Sequence, residues 1–448
     1  MTVKSRSGST RQKKQKEKNS NLVPMPKILL KNVTLDNRPA DIAIDGGKFS
    51  HITKAGEFQK EFPVSGYEIM DCTGLTAIPG FVNSHTHAAM SLMRGVGEDM
   101  LFHDWLKRIW DIEAGLDRDF VYWGTKAACL EMIRTGTTVF NDQYWFSAAA
   151  REAAAEMGIL PAVSYIFLEG EGRPDAEEQK RKCQKWYDRS LEWEGRAVFT
   201  VSVHAVYSVS ENLIRWAADF ARDHGLKLHV HVSETLKENL DCQAAHGGLS
   251  PVEYLDSLGA LGPNVIAAHT LWLSDDDVSI LGGHGVSCVH NINSNLKLSS
   301  GYKFRYNELK KAGANLCLGT DGCASSNNLD MLEAMKTAAI VQKAWREDPS
   351  VMPLDELVDM AMLNGARALG LDSGRIEEGL RADLCLVDTH NTFFLSPAPF
   401  LANLVYSSHS DCIRTVIAGG RIVMKDRVIP GEEEILAGAA EVLKQLKR

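Results

Sequence analysis

No uninterrupted apolar run in the 448 residues approaches the ~18 that a membrane-spanning helix needs. No apolar stretch opens the chain as a secretory leader would. The expectation is a cytoplasmic protein that makes no membrane contact. No CxxC occurs, and the nine cysteines are odd in number and scattered. Several fall inside strand-like runs (Cys288, Cys317, Cys385), as small buried residues of a reducing compartment do, which argues against a disulfide frame. An excess of positive charge is also missing, since the formal net charge is -9. The basic residues gather at the start, where Lys4, Arg6, Arg11, Lys13, Lys14, Lys16 and Lys18 oppose Glu17 alone. Everything after this segment is therefore acidic, and an acidic body argues against nucleic acid as a partner. Residues 1–25 have too few apolar side chains to pack and read as a disordered basic tail.

What is present is ample material for a large core: 44% hydrophobic and 24% charged residues, with a mean hydropathy of -0.17. The length suits a barrel of about 250 residues or more plus a smaller module. Residues 26–80 look like short strands and turns, with KILLKNVTL and ADIAIDGGKFSHI around a hairpin signal at Asp45-Gly46-Gly47. The C-terminal ADLCLVD and DCIRTVIAGGRIVMKDRV have the same character. Between these ends, eight β-rich runs alternate with amphipathic helical segments. The runs are LTAIPGFVNSHTH, GTTVFND, LPAVSYIF, AVFTVSVHA, LKLHVHVSE, NVIAAHT, GVSCVHN and ANLCLGTD. Helices that end in Gly and lead into apolar strands are the repeat of a parallel sheet, and eight of them point to a closed (β/α)8 barrel. The expected organisation is a β-module part at 26–80, the barrel at 81–370 and a second β-module part with a C-terminal helix at 371–448.

Polar residues collect at the C-terminal ends of these strands, the face where barrel enzymes build their sites. His85 and His87 are two apart, so on a strand both imidazoles face one side and can meet one metal. An HxH pair is a common pattern by itself. His231 closes the fifth run, with His229 on the same face but deeper, and periodicity does not choose between them; nearness to the strand end favours His231. Asp321 closes the eighth run beside Gly322. An Asp before Gly is ordinarily a turn residue, but the order and spacing of all four argue for ligands. Three imidazoles and one carboxylate suit one Zn²⁺, with Fe²⁺, Mn²⁺ or Co²⁺ as alternatives. Such a metal leaves a position for water and lowers its pKa toward neutrality.

Glu234, three residues after His231, can reach a substrate without ligating the metal and reads as the proton shuttle. His269 ends the sixth run and is placed to steady the attacking water and the tetrahedral intermediate. Asp321 has a second role as base toward that water. His204 closes the fourth run and points to substrate. Glu113, in IWDIEAGL, lies after the first strand, where a plain exposed helix residue is the alternative. A structural role suits His290, Asn291 and Asn295, with His103 and Trp105 at the rim or in packing.

The motifs PGFVNSHTHAAMSLMRG, EAGL, EMIRTGTT, HVSET, AAHT, HNINSNLKLSSG and LGTDGCASSNNLDM closely resemble the amidohydrolase superfamily. Within it they are similar to the 5′-methylthioadenosine/S-adenosylhomocysteine deaminases and the related triazine chlorohydrolases. GRIEEGLRADLCLVD and RTVIAGGRIV extend the likeness over residues 26–430. The resemblance implies metal ligands at His85, His87, His231 and Asp321, and substrate contacts at Glu113, His204 and Glu234, with Glu113 on ribose hydroxyls. It implies that the two chain ends pair into one small β-sandwich. Binuclear members carry a bridging Lys on the fourth strand; AVFTVSVHA has none, so a mononuclear site is expected. Two departures fall in the substrate shell: no Arg follows the third strand until Arg173, and His204-Ala205-Val206-Tyr207-Ser208 stands where the family often has HAPYT.

The expected activity is hydrolytic deamination of an adenosine derivative: 5′-methylthioadenosine, S-adenosylhomocysteine, adenosine or 5′-deoxyadenosine. The products would be an inosine-type nucleoside and ammonia. The alternatives are hydrolysis of another heterocycle (guanine, pterin, triazine) on the same site, or a non-catalytic scaffold. The HxE and PCxxC signature of nucleic-acid base deaminases is absent. Barrels of this family often self-associate, so a homo-oligomer is an open expectation.

Overall fold

The structure is a computed structural model that describes residues 25–446. The expected basic tail therefore lies, but for Met25, outside the described residues. Five strands open the described chain: β1 (Lys27–Leu35), β2 (Arg38–Asp45), β3 (Lys48–Lys54), β4 (Tyr67–Asp71) and β5 (Leu75–Pro79). Eight more follow, alternating with helices: β6 (Phe81–Thr86), β7 (Thr137–Asp142), β8 (Leu160–Phe167), β9 (Val198–Ala205), β10 (Lys227–Val232), β11 (Val265–His269), β12 (Ser287–His290) and β13 (Asn315–Leu318). The last three are β14 (Leu384–Asp388), β15 (Ile413–Ala418) and β16 (Arg421–Met424).

Strands β6 to β13 pair in sequence order, every pair parallel. β6 and β7 are buried along their whole length, as a parallel sheet covered by helices requires. Side chains complete the seam between the last and first strands. Asn83 on β6 accepts from the Thr320 amide at 3.1 Å and donates to Thr320 Oγ1 at 2.7 Å, while the Asp321 amide donates to the His85 carbonyl at 3.0 Å. The result is a (β/α)8 barrel. Several helices between strands begin where a side chain satisfies their free amides: Asp117 caps Arg118–Arg134, Thr235 caps Leu236–Ala245, and Ser250 with Glu253 forms a capping box before Pro251–Ser257.

The two chain ends join in one mixed sheet of eight strands, ordered β16-β15-β14-β5-β1-β2-β3 with β4 on β1. β14 from the C-terminal part pairs antiparallel with β5 from the N-terminal part, Leu384 opposite Pro79 through Asp388 opposite Leu75. This sheet has its own core around Ile28, Ile42, Phe49 and Leu384.

One expectation needs correction. LTAIPGFVNSHTH reads as a single strand but is two: β5 belongs to the end sheet and β6 to the barrel. The break falls at Gly80, where a Cβ would sit 2.3 Å from Thr138 Oγ1. The Gly80 amide donates to the Asp383 carbonyl at 3.0 Å, so the crossing is pinned between the two sheets. All nine cysteines are buried and unpaired. No described helix is long and apolar enough to cross a membrane.

Candidate metal centre and active site

At the C-terminal mouth of the barrel, five nitrogen- and oxygen-bearing side chains converge. Donor atoms of His85, His87 and Asp321 lie within 4.8 Å of one another, as do those of His85, His231 and His269. Asp321 Oδ1 lies 3.4 Å from His85 Nε2 and 3.3 Å from His87 Nε2. The other ring nitrogens are occupied elsewhere. His87 Nδ1 donates to the Gln143 carbonyl at 2.6 Å, and His231 Nδ1 donates to the His204 carbonyl at 2.7 Å. A carbonyl only accepts, so in both rings Nδ1 carries a proton and Nε2 faces the cage. His85 Nδ1 meets His229 Nε2 at 2.9 Å, and its Nε2 is buried with no hydrogen-bond partner.

An orphaned buried nitrogen beside two further Nε2 atoms and a carboxylate fits a divalent metal. Ser294 Oγ donates to Asp321 Oδ2 at 2.6 Å, and the Gly322 amide donates to Oδ1 at 2.8 Å. Asp321 is held with φ +62°, a left-handed turn that aims its carboxylate back at the histidines. His229 packs behind His85, fully buried, and does not line the pocket. The choice between His229 and His231 that periodicity left open is thus met by geometry that turns His231 toward the cavity.

Burial dominates the electrostatics. It pushes His231 well below the ordinary imidazole range and brings His204 and His269 to about 3, so these rings are neutral. It also pushes against a proton on His87, but the hydrogen bond and charge of Asp321 prevail and raise that ring to about 9. Burial works against Asp321 as well, yet the adjoining His85 and His87 rings hold it well below the carboxylate range.

Glu234 follows β10 and is raised well above the usual carboxylate value by burial, then by the charges of Asp321 and Glu238. Its Oε2 lies 3.8 Å from His269 Nε2. The turn that presents it is built: Ser233 has φ +53°, and Glu238 accepts from the Ser233 amide at 3.0 Å and the Glu234 amide at 2.7 Å. Asn295 Nδ2 lies 2.9 Å from His269 Nδ1, so this residue of the seventh-strand motif orients that ring. His290 stacks on Phe304 with centroids 4.4 Å apart, away from the pocket.

The cavity over the cage is lined by His87, His204, His231, Glu234, His269 and Asp321. Glu113, Phe102, Trp105, Trp110, Tyr144, Trp145 and Tyr207 line it as well, the ring centroids of Trp110 and Tyr207 lying 5.9 and 6.0 Å from that of His204. Glu113 ends the helix Phe102–Glu113 and accepts from Trp145 Nε1 at 3.2 Å; burial raises its pKa against the pull of Trp145 and Tyr144. His204 Nδ1 meets Ser208 Oγ at 2.9 Å, so the serine of the departing HAVYS motif holds the ring. Trp105 lines the pocket and donates to the Ala324 carbonyl at 3.2 Å, whereas His103 is exposed and outside it. Arg173 returns over the site, its guanidinium 4.3 Å from the centroid of the Trp145 ring. The residues that sequence reasoning missed are Trp110, Tyr144, Trp145 and Glu238. The only signal for the tyrosine–tryptophan pair was its place just after a barrel strand.

The chain is similar to a 5′-deoxyadenosine deaminase from Methanoregula boonei, 44% identical over 94% of this chain and 95% of the relative. It is 44% identical to 5-methylthioadenosine/S-adenosylhomocysteine deaminase 1 from Archaeoglobus fulgidus, over 84% of this chain and 90% of that protein. Among solved structures, an adenosine deaminase from Xanthomonas campestris with bound zinc superposes with a TM-score of 0.89 at 28% identity, covering 95% of this chain and all of that one. Residues 76–423 match the model of the amidohydrolase family, and with these relatives the chain belongs to that family.

Proposed function

We propose that this protein is a metal-dependent aminohydrolase that removes the 6-amino group of an adenosine derivative, with 5′-deoxyadenosine, 5′-methylthioadenosine, S-adenosylhomocysteine and adenosine as its substrate class. The observation that carries the reading is Glu234: a buried carboxyl, raised well above its usual range, beside His269 at the edge of the histidine–aspartate cage. His85, His87, His231 and Asp321 would hold one divalent ion, zinc by the nature of the donors. That ion supplies the Lewis acid that makes water nucleophilic near neutral pH.

The chain's own groups do the rest. Asp321 takes a proton from the attacking water, and Glu234 gives one to the ring nitrogen beside C6, so that oxygen adds to C6 as the ring C=N bond opens. His269, neutral and oriented by Asn295, supports the charge that develops on that oxygen. Asp321 then passes the water's proton to the exocyclic amine, the C6–N bond breaks and ammonia leaves, while the C6–OH becomes the carbonyl and its proton returns to Glu234. The aromatic wall shields the purine from water, and Glu113 and His204 face the ribose. Buried unpaired cysteines suit a reducing, cytoplasmic setting.

The test is turnover of the four adenosines, with guanine and a pterin as outsiders, alongside metal content on the same protein. Glu234→Gln is expected to lower kcat by about 10²–10⁴-fold while nucleoside binding persists. Near-normal turnover by that variant would sink the assigned role.

A further inference from the structure

Four consecutive residues, the last of β7 and the three that follow it, connect the metal cage to Glu113. Asp142 Oδ1 accepts from the Ala88 amide at 2.7 Å, and the Gln143 carbonyl accepts from His87 Nδ1 at 2.6 Å. Tyr144 lines the cavity, and Trp145 Nε1 donates to Glu113 Oε2 at 3.2 Å. The next residue, Phe146, has φ +49°, a left-handed backbone that is strained for an aromatic side chain. That turn sends Phe146 outward, 48% exposed, and leads into the helix Ser147–Met157, so Trp145 stays on the pocket. The other side of the indole is covered by Arg173, 4.3 Å from the ring centroid. Arg173 arrives on a loop in which Gly170 and Gly172 have positive φ and open space where a Cβ would be.

We propose that Trp145 is a positioning residue for nucleoside recognition: it fixes Glu113 so that one carboxylate oxygen is held by the indole and the other is free for the ribose hydroxyls. The inference rests on the deaminase reading above. An indole N–H can only donate. It therefore ties down Oε2 without competing for substrate hydroxyl protons, which Oε1 must accept. Burial works against the ionised form of Glu113, and the indole with Tyr144 works for it. Because Gln143 is anchored on His87, the distance from the cage to this carboxylate is set by two residues of chain. The spacing between the attacked ring carbon and the ribose diol is thereby measured by the protein.

The experiment compares adenosine with 2′,3′-dideoxyadenosine, which differ only in those hydroxyls, on wild type, Trp145→Phe, Trp145→His and Glu113→Gln, and on the Trp145→Phe/Glu113→Gln double variant. Trp145→Phe keeps the ring and loses the donor. KM for adenosine is expected to rise about tenfold, with kcat and the dideoxy KM as in wild type. The double variant should lose no more than Glu113→Gln alone, and Trp145→His, which retains a ring N–H, should keep KM for adenosine within about threefold of wild type. An equal penalty on both nucleosides, additive losses in the double variant, or loss of the hydroxyl preference in a folded Trp145→His protein would overturn the proposal. Wild-type turnover separates the two readings. An enzyme inert on every adenosine removes the deaminase reading and this one with it, whereas an active enzyme with hydroxyl-blind Trp145 variants removes this one alone.

Discussion

On one wall of the pocket, His85, His231, His269 and Asp321 stand at or just beyond the ends of β6, β10, β11 and β13, and backbone carbonyls or neighbouring side chains fix their rings. On the other, Glu113 ends a helix, Tyr144 and Trp145 lie between β7 and the next helix, and Arg173 comes from a glycine-bearing loop. The first wall inherits its geometry from the barrel, whose strands are locked by their ladder and by the Asn83–Thr320 seam. The second is held by side chains touching side chains: an indole on a carboxylate, a guanidinium on an indole. On the proposed reading, chemistry that needs fixed distances falls to the rigid wall, and substrate selection to the one that loops can vary. Changes to the strand-end wall should therefore act on kcat and metal content, and changes to the loop wall on KM and substrate choice.

The largest expected effect is on the strand-end wall. Asp321→Ala removes the oxygen that lies between His85 Nε2 and His87 Nε2. Turnover should fall by at least about a thousandfold, and metal per chain, measured on the purified protein, should drop well below one. The fold should persist, because the seam bonds of this segment use the Asp321 backbone amide and Thr320. A fully metallated, active Asp321→Ala protein would remove the distinction between the walls.

A middle effect tests whether support behind the rigid wall behaves like the wall itself. Glu238 holds the Ser233 and Glu234 amides with both carboxylate oxygens and is 6% exposed. Glu238→Gln keeps the shape but turns one acceptor into a donor facing an amide. The expected loss is about 10–100-fold in kcat, with KM and metal content unchanged in steady-state kinetics and metal analysis. A change confined to KM would instead put Glu238 with the loop wall.

The same division decides how much was legible in the sequence. His85 and His87 were readable because a strand repeats every two residues, and the strand order was readable because Gly-ended helical segments alternate with apolar strands. The pairing of the distant chain ends followed from their matching character, and β14 does lie against β5. The boundary at 80/81 was set at Pro79-Gly80, but the run across it read as one strand, and only the closeness of Thr138 to Gly80 shows why the chain changes sheets there. Trp110, Tyr144 and Trp145 were invisible for a different reason. Loop residues have no period, and an aromatic residue in a loop looks the same whether it packs, faces solvent or holds a carboxylate. His103 illustrates the converse, a polar residue near the right helix that faces outward. Glu238 read as one more helix glutamate, because its function depends on the left-handed turn at Ser233.

The smallest expected effect asks how far the loop wall can be loosened before catalysis notices. Arg173 reaches the site through Trp145 and through charge; its guanidinium pulls the pKa values of both His204 and Glu113 downward. A stacked cation of this kind at a half-exposed site is worth about 0.5–1 kcal/mol, which corresponds to at most about a fivefold change in a binding constant. Arg173→Met retains bulk over the indole and removes the charge. It should raise KM for adenosine by up to about that factor, leave kcat and metal content alone, and affect 2′,3′-dideoxyadenosine less, because the weakened step is the hold on Glu113. If Arg173→Met lowered kcat as strongly as Glu238→Gln, the loop would be part of the catalytic frame, and the two walls would be one structure instead of two.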